Sequence, residues 1–179
     1  MMHKFDYWSP TEVVFGKGRE DETAAYVKKY GGSKVLLVYG GGSVERSGLL
    51  QRVKEQLDAA GIGYAEFGGV QPNPTVEYAR EGVKRAIESQ ADFILAVGGG
   101  SAIDTAKGIA HGAANPDVDI WKFWSGEEKV QKSMPVGVIL TISAAGSETS
   151  ASSVLTNKAT GSKRGLDTRV SLKQALAAQ

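Results

Sequence analysis

Residues 92–113 read DFILAVGGGSAIDTAKGIAHGA, and the order of residue types in that run decides the fold. Asp92–Val97 is short, continuous and rich in Ile, Leu and Val, as a strand covered on both faces must be. Three glycines, Gly98-Gly99-Gly100, follow it directly. Then Ala102, Ile103, Ala106, Ile109, Ala110 and Ala113 recur at three- and four-residue steps. That spacing predicts a helix beginning near Ser101, with a small-residue face suited to lying close on a sheet.

The same grammar repeats on either side. Lys34–Tyr39 (KVLLVY) is a second buried strand and also runs into three glycines, Gly40-Gly41-Gly42; Gly63–Phe67 and Pro135–Thr141 read as two more. Between them Leu49, Leu50, Val53 and Leu57 give one helical face that stops at Gly61. Val76, Ala79, Val83 and Ala86 give another, after Pro72 and Pro74. Thr11–Phe15 reads as an additional strand and Glu20–Tyr30 as a helix. Strands alternating with helices predict an α/β fold: a Rossmann-like, mainly parallel sheet with helices on both faces and right-handed crossovers. Trp121, Phe123 and Trp124 are expected to anchor a loop to the core. The stretch Val170–Gln179 is polar and alanine-rich, with only Leu172 and Leu176 at helical spacing.

Composition narrows the function. The chain has 179 residues, which fits one domain or a domain with part of another. Its 21 Lys and Arg balance 20 Asp and Glu, so no strong pull to nucleic acid or an anionic membrane is expected. No Cys is present, which excludes disulfides, thiolate nucleophiles and Cys-ligated zinc. No apolar stretch has the length of a membrane span, and MMHKFDYWSPTE carries acids and no apolar core of a signal peptide, so a cytoplasmic location is expected. Glycine is the outlier: 23 residues, where average usage of about 7% would give roughly 12. The two triplets lie at carboxyl ends of strands, where open α/β sheets bind ligands.

A glycine turn feeding a helix N-terminus lets phosphate lie against backbone N–H groups at the positive end of the helix dipole. Neither triplet follows GxGxxG, since position 103 is Ile, and no Gly-Lys-Ser/Thr of a Walker A loop is present. The alternative is simple capping, with Ser101 and Asp104 as an S-x-x-D helix start. Capping accounts for those two residues but not for three consecutive glycines.

Gly98–Lys107 (GGGSAIDTAK), Ser9–Gly18 (SPTEVVFGKG), Gln71–Thr75 (QPNPT) and Thr141–Glu148 (TISAAGSE) together resemble the iron-dependent alcohol dehydrogenases, in the branch of butanol dehydrogenases and NADPH-dependent aldehyde reductases. The resemblance covers about residues 3–168 and implies that family's N-terminal nucleotide-binding domain, a fold shared with dehydroquinate-synthase-like proteins. It implies that Gly99, Gly100 and Ser101 receive the pyrophosphate and that Asp104 lies near the nicotinamide end. It places Thr141, Ser143 and Ser147 along the adenine and nicotinamide-ribose side, Asn73 at the adenosine half and Lys163 near the nicotinamide ribose. Ala145 departs from the family's usual threonine. Gly41, Gly42 and Ser43 leave room and donors for a 2′-phosphate where NAD sites usually place an acid, so NADP(H) is expected over NAD(H); Arg46 supports that and Glu45 opposes it.

The activity implied is hydride transfer between nicotinamide and a primary alcohol or aldehyde, with a divalent metal, Fe or Zn, polarising the substrate oxygen. In the family one Asp and three His of a C-terminal helical domain hold that metal. Here only His3 and His111 occur, and a lone His among alanines reads as structural. The family would continue after Leu166-Asp167-Thr168 into another strand, and Arg169–Gln179 does not read as one. The expected organisation is therefore a dinucleotide-binding domain over 1–168, an atypical tail over 169–179 and no metal-binding domain. Such a truncated chain is expected to be inactive alone and prone to self-association. A stand-alone nucleotide-binding or interaction module is the alternative function.

Overall fold

Successive residues of a strand face opposite sides of its sheet, so a strand apolar at every position must be covered twice. The computed structural model, which describes residues 9–168 and 175–178, is built on three such strands. They are β2 (Lys34–Gly40), β4 (Phe93–Gly98) and β5 (Val136–Leu140). Leu36, Val38, Ile94, Ala96, Val136 and Val138 form one core beneath α4 (Val76–Glu88) and α5 (Gly100–Ala114). Val35, Leu37, Phe93, Leu95, Val97 and Ile139 form the other, against α1 (Thr23–Lys29) and α3 (Leu49–Ala59). Each Val, Leu, Ile or Phe side chain among them, once buried, contributes about 1.5–3 kcal/mol.

With β1 (Glu12–Val14), β3 (Gly63–Val70) and β8 (Ala175–Ala178), these strands make a six-stranded sheet in the order β1-β8-β5-β4-β2-β3, every pair parallel. The chain leaves β2 by α3 to reach β3 on one side, then returns by α4 to β4 on the other. The crossovers thus part company between β2 and β4, and a crevice opens beyond their carboxyl ends.

Local chemistry sets the boundaries. Thr75 caps α4 by accepting from the Tyr78 amide at 3.3 Å. Gly61, at φ 68°, closes α3 in the left-handed conformation that a Cβ disfavours. Phe123 and Trp124 are buried with Leu155 and Ile120 in a third core, with Trp121 partly buried against it, so the aromatics do anchor to the core, although the segment expected as a loop forms a short helix at Trp121–Ser125.

Elsewhere the fold departs from the sequence reading in four places. The helix expected over 20–30 begins as a 3₁₀ turn, Arg19–Glu22, and becomes α1 only at Thr23. A short helix, α2 (Ser43–Arg46), follows the first glycine triplet. Beyond α6 (Trp121–Ser125) and β5 the chain forms an antiparallel hairpin of β6 (Ser152–Asn157) and β7 (Ser162–Asp167), fastened to the turn before α4 by the Thr156 amide donating to the Pro74 carbonyl at 2.9 Å. Finally, residues 175–178, expected in a tail that is not a strand, insert as β8 between β1 and β5. Backbone pairing on both sides overrides the weak strand propensity of alanine there. Residues 169–174 and 179 of that tail, and His3, lie outside the described residues.

Candidate cofactor cleft

Both glycine triplets open at the same edge of the sheet, because β2 and β4 are parallel neighbours in register. Gly40, Gly41 and Ser43 from one turn and Gly98, Gly99, Gly100 and Ser101 from the other line a single cleft of about 510 Å³. Thr141 and Ile142, just beyond β5, and Val70, Gln71 and Pro72, at the end of β3, complete its walls.

The helix start at this cleft is bare. Gly99 occupies the N-cap of α5 in an extended conformation (φ −95°, ψ −168°), and no side chain caps the turn. The Gly99 carbonyl accepts from the amides of Ala102 and Ile103, while the first amides of the helix have no acceptor within it. Capping by Ser101 and Asp104 therefore does not explain the motif: the N-cap is Gly99, two residues before Ser101, and both Asp104 oxygens are engaged elsewhere. Asp104 Oδ1 accepts from Ser147 Oγ at 2.6 Å, and Oδ2 accepts from the Val154 amide at 3.1 Å.

The glycines differ in what they make possible. Gly98, at φ 153°, would hold any Cβ 3.1 Å from that of Ala102, so the fold itself requires it. Around Gly41 and Gly100 a Cβ would meet nothing within 4 Å. Packing does not demand glycine at those two positions, whereas a ligand lying against the backbone would.

Of the twelve residues implicated by sequence, six (Gly41, Ser43, Gly99, Gly100, Ser101 and Thr141) share the cleft. Asp104 and Ser147 form the buried pair just described. Asn73, held at φ 57° in the QPNP turn, accepts from Lys163 Nζ of β7 at 2.9 Å, so these two make a separate bridge. Gly42 lies beneath the Arg46 guanidinium, and Ser143 belongs to the exposed segment after β5. Sequence reasoning did not single out Lys107, whose ammonium donates to the carbonyls of Ser147, Ser150 and Ser152 at 2.6, 3.0 and 2.8 Å. A solitary charge between Ala106 and Gly108, on a helix otherwise made for burial, was the available signal.

Burial governs titration here. It raises the Asp104 carboxyl above the usual aspartate value, against the hydrogen bonds from Ser147 and Val154. It pushes Lys107 down to about 8 despite nearby Asp104, and His111 down to about 4, where the Lys107 charge adds to the effect. Neither ring nitrogen of His111 has a hydrogen-bond partner. Among the described residues no group of three or more His, Cys, Asp or Glu could hold a metal ion, and no helix is long and apolar enough to cross a membrane.

A parallel α/β sheet with two glycine turns opening on one crevice is the architecture of a nucleotide-binding fold. Comparison gives the family. The model described as iron-containing alcohol dehydrogenase matches residues 10–175, and the chain belongs to that family. It is 46% identical over 164 residues to a probable NADH-dependent butanol dehydrogenase of Bacillus subtilis, a match covering 92% of this chain and 42% of that protein. It is 38% identical over 165 residues to the NADPH-dependent aldehyde reductase YqhD of Escherichia coli, covering 91% and 42%. The crystal structure of NADH-dependent butanol dehydrogenase A from Thermotoga maritima superposes with a TM-score of 0.93 at 35% identity, over 99% of this chain and 44% of that one. The chain thus spans about 42% of the length of these curated relatives.

Proposed function

We propose that this chain provides the cofactor-binding part of an oxidoreductase that exchanges hydride between NADP(H) and a primary alcohol or aldehyde. The observation that carries this reading is the uncapped start of α5, with Gly100 in its first turn and Gly41 on the other glycine turn both open in their Cβ directions. In this reading the amides at Gly100 and Ser101 receive the pyrophosphate at the positive end of the helix dipole. Thr141 and Ser143 border the far wall, while Asp104 and Ser147 hold that wall to α5. The Asn73–Lys163 bridge joins the hairpin to the QPNP turn, which in this reading puts Lys163 on the adenosine side rather than near the nicotinamide ribose, where the resemblance placed it. When bound, the nicotinamide supplies or accepts hydride; these residues orient it. The described residues do not fit a metal, so polarisation of the substrate oxygen is assigned to none of them.

The named relatives divide between NADH and NADPH, so the choice of cofactor is argued from the strand end alone. Residues 40–43 carry no acid that would grip a ribose 2′-OH, and the Arg46 guanidinium folds over Gly42 beside the cleft. One charge-assisted contact to a 2′-phosphate contributes about 1.5 kcal/mol, so NADPH is expected to bind about tenfold tighter than NADH. Titration by protein fluorescence at equal salt tests both levels of the proposal. Equal or tighter NADH binding removes the 2′-phosphate role of Gly41, Gly42 and Ser43. Failure of both cofactors to saturate removes the dinucleotide reading.

A further inference from the structure

Lys107 is 4% exposed, and nothing in the roles assigned above requires a charge there. Taking an ammonium out of water is costly, and methionine or leucine would fill the same space on α5 without that cost. The compensation is specific. An ammonium has three N–H donors, and here three backbone carbonyls, those of Ser147, Ser150 and Ser152, receive them. Ser147 and Ser150 belong to the connection from β5 to β6, which has no regular structure of its own between Thr141 and Ala151, and Ser152 is the first residue of β6. At its near end this connection is fixed to the sheet by the Thr141 amide, which donates to the Gly98 carbonyl at 3.1 Å. Residues 141–145 between the two attachments are exposed, and their first two members line the cleft. Asp104, one turn before Lys107 on the same helix face, adds its bonds to Ser147 and Val154. One helix therefore presents its N-terminus to the cleft and grips the loop of the opposite wall.

We propose that Lys107 is a positioning residue for cofactor binding: by holding the carbonyls of Ser147, Ser150 and Ser152 it fixes the 141–151 wall relative to the start of α5. The inference rests on the dinucleotide reading above. It differs from a packing role in what it implies, because a packing residue changes stability, whereas a positioning residue changes the affinity of molecules that remain folded.

The test compares wild type with Lys107→Met, which keeps the aliphatic stem and removes all three donors, and with Leu155→Ala. Leu155 is fully buried against Gly108 at the base of the same hairpin but has no part in the Lys107 contacts. Amide hydrogen exchange without ligand and NADPH titration are both measured where circular dichroism shows each variant folded. K107M is expected to speed exchange in residues 146–153 about tenfold relative to β2 and β4, and to weaken NADPH binding about tenfold. L155A is expected to lower the melting temperature while leaving Kd within about twofold. Unchanged exchange in K107M overturns the inference, as does faster exchange with an unchanged Kd, or an equal loss of affinity in L155A. If K107M does not fold, K107Q, which keeps two donors, is expected to show intermediate changes in both readouts, and wild-type values in K107Q would overturn the proposal. A wild-type chain that binds no NADPH refutes the dinucleotide reading itself, while the exchange data still decide whether Lys107 holds the loop.

Discussion

Replacing Gly99 by aspartate is expected to lower NADPH affinity by at least about a hundredfold while leaving the fold as stable as before, or slightly more so. The backbone of Gly99 is extended, as an N-cap residue should be, and its Cβ would lie 3.5 Å from Ile142 Cγ2, an ordinary contact. Aspartate is a better N-cap than glycine by a few tenths of a kcal/mol, and a carboxylate at the positive end of a helix adds about 0.3–1 kcal/mol. The same carboxylate would occupy the amides that the pyrophosphate needs and would face its charge. Two like charges about 4 Å apart near a protein surface repel by about 4 kcal/mol, more than a hundredfold in affinity. Opposite signs in stability and binding separate this mechanism from misfolding. A stable G99D chain that binds NADPH normally would show that the pyrophosphate does not sit at this helix.

The second large effect concerns acid. His111 is 1% exposed, and burial beside Lys107 holds its pKa at about 4 against an unfolded value of 6.5. Between those values the unfolded chain binds a proton that the folded chain refuses, so stability falls as pH drops from 6.5 to 4. At about 1.4 kcal/mol for each unit of pKa difference, the loss amounts to roughly 3 kcal/mol. Asp92 and Asp119, whose carboxyls are held below their usual values by hydrogen bonds and, for Asp119, by Arg80, also lose stabilisation in acid. The informative quantity is therefore the difference between wild type and His111→Leu. Urea unfolding as a function of pH is expected to show a shallower acid slope in H111L, with neutral-pH stability retained because two unpartnered nitrogens are removed. Parallel slopes in the two proteins would mean that His111 takes up its proton in the folded state.

The parts of the fold legible in sequence are those whose signal is local. β2, β4 and β5 are apolar on both faces and end in glycine or in a turn, and α5 shows its buried face as a run of small residues. The hairpin was hidden because β7, Ser162–Asp167, is mostly exposed and polar, and its place depends on contacts with residues about eighty positions earlier. β8 was hidden for a similar reason, since Ala-Leu-Ala-Ala becomes a strand only in a slot between two others. At the site, the glycine triplets were readable because missing side chains are a pattern in themselves. The part played by Lys107 was not, because its partners are backbone carbonyls, which every residue possesses. Asp104 shows the limit of motif reasoning: its spacing from Ser101 suits a cap, yet tertiary structure turns its carboxylate inward.

In the proposed complex a dinucleotide lies with its pyrophosphate on the first turn of α5 and spans both glycine turns. Following backbone amide resonances of the ¹⁵N-labelled chain during NADPH titration tests that placement most directly. The expected result is saturable movement of the Gly99, Gly100, Ser101 and Ala102 amides together with Gly41 and Ser43, while α4 and α6 stay still. Saturable shifts that spare residues 99–102, or no shifts at millimolar NADPH, would contradict it.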